Sequence, residues 1–338
     1  MQGHGESTAG PASRHLYPAR HAQKPHIHFP HIRFHRRELT DRPLAGKPHP
    51  DHPLHWKLYG CEAVATGVLM MLGIMTNTFL AAPGSFLAVL LRAHPALQTA
   101  LCGLCFGSAG TLAAMTRFGR TSGAHLSPSV TLAFTLGGKL APLDAGGYFA
   151  AQIVGACVGT ALIYLSGRLL PGWGAWLCAV HYASTLPAHG LALYLVMLAE
   201  LAATMGLVFA LYYAASHPRL HLFAPWVGGA YFFCANPFVA WISGDSTNFA
   251  RSLGPALFNH DFFGLWIYLV GPLLGSALAV LVIRSRLFGQ IHLAEARIIN
   301  FGHYGRVPRF SEPAAVGPSP AQLEKAEHGP ESNPPAHQ

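Results

Sequence analysis

Long apolar stretches, broken by short polar ones, dominate this chain. A bilayer core takes roughly 20 apolar residues of helix. Six stretches have that character: residues 58–80, 96–115, 145–165, 191–215, 222–242 and 262–283. Two further apolar runs, 128–136 and 249–258, are too short to cross. Short helices that enter and stop are permitted at membrane depth only where protein or a water-filled cavity covers their ends. The pattern predicts an all-α membrane protein with six transmembrane helices and two re-entrant half-helices.

Composition agrees. The chain has 338 residues, 51% hydrophobic and 11% charged, which excludes an ordinary soluble domain. Between residues 58 and 283 only twelve side chains are charged: Glu62, Asp144, Glu200, Asp245, Asp261, Arg92, Arg117, Arg120, Lys139, Arg168, Arg219 and Arg251. The first 57 residues hold ten His and nine Lys or Arg, with no apolar core of signal-peptide type, so no cleaved secretion signal is expected. The stretch from residue 294 onward is rich in Pro, Glu and Ala. This predicts disordered tails at 1–55 and 290–338 around a membrane domain at 56–289. Lys and Arg crowd the tails, which places both termini in the cytoplasm and the chain as a multi-pass protein in the plasma membrane. The six Cys lie mostly in apolar runs and read as small hydrophobes, with no metal or redox site. No cofactor and no nucleic-acid partner is expected.

Landmarks recur in order. Glu62-x-x-x-Thr66 in the first span matches Glu200-x-x-x-Thr204 in the fourth. Ser122-Gly123 before the first short run matches Ser243-Gly244 before the second. Gln152-Ile153-Val154-Gly155 matches Pro272-Leu273-Leu274-Gly275. Repeats of about 56–170 and 190–289 each contain three spans, an odd number. The second repeat therefore enters the membrane inverted, and the two half-helices approach from opposite faces. Ser127 is a good N-cap with Pro128 at the first helical position, and Asn248 caps the second half-helix. Two facing helix N-termini make the midplane electropositive.

At these residues the chain resembles the aquaporin, or major intrinsic protein, family. Ser122-Gly123-Ala124-His125-Leu126-Ser127-Pro128-Ser129-Val130-Thr131 is similar to its first motif, and Asn248-Phe249-Ala250-Arg251-Ser252-Leu253-Gly254-Pro255-Ala256 to its second. The departures are Ser127 for Asn, Ser129 for Ala and Phe249 for Pro. The resemblance covers about residues 56–287. It implies one pore per subunit, a homotetramer, and passive conduction of water or small neutral solutes such as glycerol, ammonia or hydrogen peroxide, with no enzymatic step. It places Ser127, Pro128, Ser129, Asn248, Phe249 and Ala250 at the pore midplane. It assigns the outer selectivity filter to Arg251, Asn236, Asp245 and either Phe106 or Gly107. Asp245 is expected within reach of Arg251, partly neutralising it. Ser252 and Ala256 are as in water-selective relatives, while Tyr268-Leu269 is not the pair common in water channels.

Several residues carry two readings. Glu62 and Glu200 are functional candidates as membrane carboxylates, and are read here as supports that accept hydrogen bonds from loop backbone. His125 either lines the pore or packs behind the loop. Gly67, Gly155, Gly159, Gly206 and Gly275 are expected to allow close helix packing. Trp173, Trp176 and Tyr182 are expected to mark an interfacial segment. The run His26–His35 reads as a solvated tail, a lipid-contacting segment or a metal binder. Phe249 motivates an alternative, a non-conducting structural or sensing membrane protein of the same fold. A membrane metalloenzyme using the His-rich tail is the third reading.

Overall fold

The computed structural model describes residues 54–217, 220, 223–288 and 291. They lie within one compact unit, Pro43–Gln338. The expectations for the tails, the His26–His35 run and Arg219 fall outside the described residues.

Among the described residues every regular element is helical. The elements are α1 (Trp56–Ala81), α2 (Phe86–Leu91), α3 (Pro95–Met115), α4 (Arg117–Ser122), α5 (Pro128–Leu136), α6 (Pro142–Leu169), α7 (Pro171–Ala179), α8 (Leu193–Ser216), α9 (Val227–Ser243), α10 (Phe249–Asn259) and α11 (Ile267–Arg284). Helices α1, α3, α6, α8 and α11 are long and apolar enough to cross a membrane. The remaining span, α9, has 17 residues and follows a 3-10 turn at Ala224–Trp226. It starts later than the apolar pattern suggests because the tight turn containing Pro225 precedes it. Helix α11 likewise starts at Ile267, since residues 263–266 form turns and Gly264 takes φ +66°.

The repeat is visible in the packing. Helix α1 crosses α6 and α8 crosses α11, while α3 and α9 pack against each other between the repeats. Small residues make these crossings close. A Cβ at Gly155 would lie 2.1 Å from the Ala63 carbonyl, and one at Gly275 2.3 Å from the Leu201 carbonyl. At Gly159 it would meet the Gly67 carbonyl at 2.5 Å, and at Gly206 the Tyr231 hydroxyl at 2.7 Å. Each half-helix also packs on the third span of the other repeat, α5 on α11 and α10 on α6.

The two half-helices stop for local reasons. Helix α5 ends at Gly137-Gly138, and Arg284 of α11 donates to the Leu136 carbonyl at that end, a cation at a helix C-terminus. Helix α10 ends at His260 in a left-handed conformation. Trp173 and Trp176 lie on α7 against Phe79, with centroids 5.2 and 6.1 Å away. Tyr182 departs from the interfacial expectation. It is buried in a 3-10 turn at His181–Ala183 and packs on Tyr164 at 6.0 Å.

Candidate functional site

Two loops, residues 123–127 and 244–248, lead into α5 and α10. They share an unusual backbone. Gly123 and Gly244 have φ +95° and +82°, then Ala124 and Asp245 have +53° and +48°, then Leu126 and Thr247 have +58° and +53°. Non-glycine residues in the left-handed region cost of order 1–3 kcal/mol each and persist only where surroundings hold them. Those surroundings are matched across the repeat. Glu62 accepts from Leu126 N at 2.5 Å. Glu200 accepts from Ser246 N at 2.8 Å and Thr247 N at 2.7 Å. Gln152 donates to Glu62 and to Thr131 Oγ1, both at 2.9 Å. At the start of the loops, the Tyr148 hydroxyl donates to the Ser122 carbonyl at 2.5 Å and the Tyr268 hydroxyl to the Ser243 carbonyl at 2.7 Å.

The ends of the loops join each other. Asn248 Nδ2 donates to the Leu126 carbonyl at 2.8 Å, and Ser129 Oγ donates to the Thr247 carbonyl at 2.7 Å. Ser127 caps α5 by accepting from Ser129 N, and Asn248 caps α10 by accepting from Arg251 N. The two positive helix ends therefore abut, with their caps hydrogen-bonded across.

A cavity of about 510 Å³ runs past this junction. Its wall includes Gln98 and Thr99 of α3, Leu211 of α8 and Pro225. Of the six residues assigned to the midplane, Ser127 and Asn248 line the cavity. Pro128, Ser129, Phe249 and Ala250 are not among its lining residues. Phe249 is half-buried at the first position of α10 and leaves the two half-helices in contact. His125 fits both of its readings. It lines the cavity, stacks on Phe134 at 4.6 Å, meets the Tyr148 ring tilted at 4.8 Å, and its Nδ1 lies 3.2 Å from Thr131 Oγ1.

All five residues assigned to the filter line the cavity. The Arg251 guanidinium lies over the Phe106 ring, 4.5 Å from its centroid, and Nη1 donates to the Ala183 carbonyl at 2.8 Å. Gly107 plays a different part, since a Cβ there would meet the Gly228 carbonyl of α9 at 2.6 Å. Asn236 Nδ2 donates to the Thr99 carbonyl at 3.2 Å. Asp245 shares the cavity wall with Arg251, near enough for the two charges to act on each other without direct contact. The two form no ion pair within 4 Å among the described residues, and neither Asp245 carboxylate oxygen has a hydrogen-bond partner. Arg251 is instead committed to a carbonyl and a ring.

Sequence reasoning missed Tyr148 and Tyr268 as loop anchors. The available signal was their shared place, four residues before the matched Gln152 and Pro272. Among the described residues no group of three or more His, Cys, Asp or Glu could hold a metal ion.

Comparison with known proteins adds to this geometry. The model of a family described as Major intrinsic protein matches residues 51–283. A probable aquaporin TIP2-2 from Oryza sativa subsp. japonica is 36% identical over 171 residues, covering 48% of this chain and 62% of that protein. The matched region thus spans less than two thirds of that relative's length. Aquaporin-4 from Mus musculus is 30% identical over 227 residues, 66% of this chain and 65% of that protein. The X-ray structure of the aquaglyceroporin from Plasmodium falciparum superposes with a TM-score of 0.55 at 22% identity, covering 67% of this chain and 94% of that one. That likeness shows a shared fold.

Proposed function

Because the chain belongs to the major intrinsic protein family, we propose that it is a passive transmembrane channel for water and small neutral solutes such as glycerol, ammonia and hydrogen peroxide. The observation that carries the reading is the pair of abutting, capped half-helices beside one cavity. Solutes pass in single file down their gradient, with no covalent step. The two helix N-termini disfavour cations at the junction, while a neutral dipolar solute exchanges hydrogen bonds as it passes. In this reading Arg251, Phe106, Asn236 and Asp245 form the filter, and Gly107 packs α3 on α9 beside it. Ser127 and Asn248 contact the solute at the midplane, with Pro128, Ser129, Phe249 and Ala250 behind them. Glu62, Glu200 and His125 hold the loops.

The channel domain is residues 56–289, and the assembly is a homotetramer. The setting is the plasma membrane, with both termini cytoplasmic. The relatives' names, aquaporin and aquaglyceroporin, favour water first and glycerol second. The non-conducting alternative, motivated by Phe249, draws less support, because Phe249 is not among the residues lining this cavity. Osmotic shrinkage of proteoliposomes, followed by stopped-flow light scattering, tests the proposal. Shrinkage well above that of empty liposomes is expected. Equal rates, with folded protein inserted, would overturn water conduction.

A further inference from the structure

The first half-helix carries Ser127 and Ser129 where the second carries Asn248 and Ala250. In α10 one amide performs two tasks. Asn248 Oδ1 accepts from Arg251 N at 3.3 Å and caps the helix, while Nδ2 donates across to the Leu126 carbonyl at 2.8 Å. Helix α5 has no such amide, yet both tasks are done. Ser127 Oγ accepts from Ser129 N at 3.3 Å, and Ser129 Oγ donates across to the Thr247 carbonyl at 2.7 Å. Leu126 and Thr247 each immediately precede a cap, so the two crossing bonds are repeat equivalents. We infer that Ser127 and Ser129 act together as a divided asparagine, one capping the half-helix and the other bracing it to the opposite loop.

The hydrogens can be followed. A serine hydroxyl has one hydrogen, and an asparagine amide has two. Ser129 commits its hydrogen to the Thr247 carbonyl. Ser127 Oγ lies 2.7 Å from Ser129 Oγ and 3.5 Å from the Thr247 carbonyl, so its hydrogen goes to Ser129. The result is a chain from Ser127 through Ser129 to Thr247, in which each bond polarises the next. Neither hydroxyl keeps a hydrogen for a solute. Asn248 gives one hydrogen to Leu126 and keeps one. Resting on the channel reading above, the midplane then offers a single side-chain donor, from the second half alone. A solute oxygen, which can accept two hydrogen bonds, is thus offered one side-chain donor where a pair of amides would offer two. Ser127 lines the cavity and Ser129 does not, which puts the cap at the lumen and the brace behind it.

The test compares the native chain with Ser129→Ala and with the double variant Ser127→Asn, Ser129→Ala. Ser129→Ala removes the brace, and water permeability per inserted protein should fall. The double variant restores an amide that can cap and brace alone. Its permeability should return towards native, and its glycerol-to-water ratio should rise, because a second donor now faces the solute. Permeability of Ser129→Ala equal to native, or no recovery in the double variant, would overturn the inference. Unfolding temperatures in detergent form the second readout. If the native chain conducts nothing, the channel reading fails, and these temperatures still decide the brace. A drop in Ser129→Ala that the double variant reverses supports it, and no drop refutes it.

Discussion

Tyr148 and Tyr268 show how much a single hydroxyl carries here. Both side chains are fully buried, and each donates to the carbonyl of the serine that precedes a left-handed glycine. Removing one hydroxyl leaves a buried carbonyl without its donor, at a cost of about 1–3 kcal/mol. Tyr148→Phe and Tyr268→Phe should each lower the unfolding temperature in detergent. The two bonds share no partner, so the double variant should fall by close to the sum. The apolar pattern hides these residues, because a tyrosine inside a span reads as one more hydrophobic position and periodicity does not reveal where its hydroxyl points. The Phe106 or Gly107 ambiguity has a similar origin. Spacing alone leaves both open, whereas contact with Arg251 distinguishes the ring from the helix-packing glycine. Asp245, buried at 4% exposure with both oxygens unpartnered, is the residue whose chemistry departs most from its surroundings. Asp245→Ala should change the ratio of glycerol to water permeability in proteoliposomes. Unchanged flux for every solute tried would remove Asp245 from the filter.

Among the elements, the crossings of α1 with α6 and of α8 with α11 are the most demanding. At Gly155 an added methyl would meet the Ala63 carbonyl inside contact distance, and neither helix can yield without moving the loops they carry. Gly155→Ala should destabilise the protein by about 1–3 kcal/mol, as overpacking does. Gly60→Ala, with nothing within 4 Å of its new Cβ, is the matched control and should unfold no earlier than the native chain. Yield of monodisperse protein and thermal unfolding report both. These glycines were legible from sequence as packing residues because small residues at helical spacing let backbones approach. The ends of α9 and α11 were less legible. Turns set by Pro225 and by Gly264 against Pro187 override an apolar run that continues through them. The burial of Tyr182 was hidden for the same reason, since three successive left-handed residues, His181 to Ala183, fold its ring inward.

At the scale of the molecule, the inverted repeat could be read from three paired landmarks, because each marks a position where the membrane leaves few choices. The bonds that join the repeats could not, since they are made by loop backbone in a conformation that no local pattern announces. The outer surface carries large apolar side chains, Phe238 at 74% and Trp241 at 65% exposure among them, as lipid or a neighbouring subunit requires. For the proposed tetramer, light scattering in detergent should give a protein mass of four copies of the 36.2 kDa chain. A mass of one copy would refute it. The crossing of the half-helices also bears on biogenesis. The carbonyl of Leu126 is satisfied by an amide 122 residues further along, and α5 rests on α11, the final span. A ribosome that has delivered only the first repeat has therefore inserted a loop whose partner is still unmade. The wall around the conduit is therefore complete only when the last helix arrives.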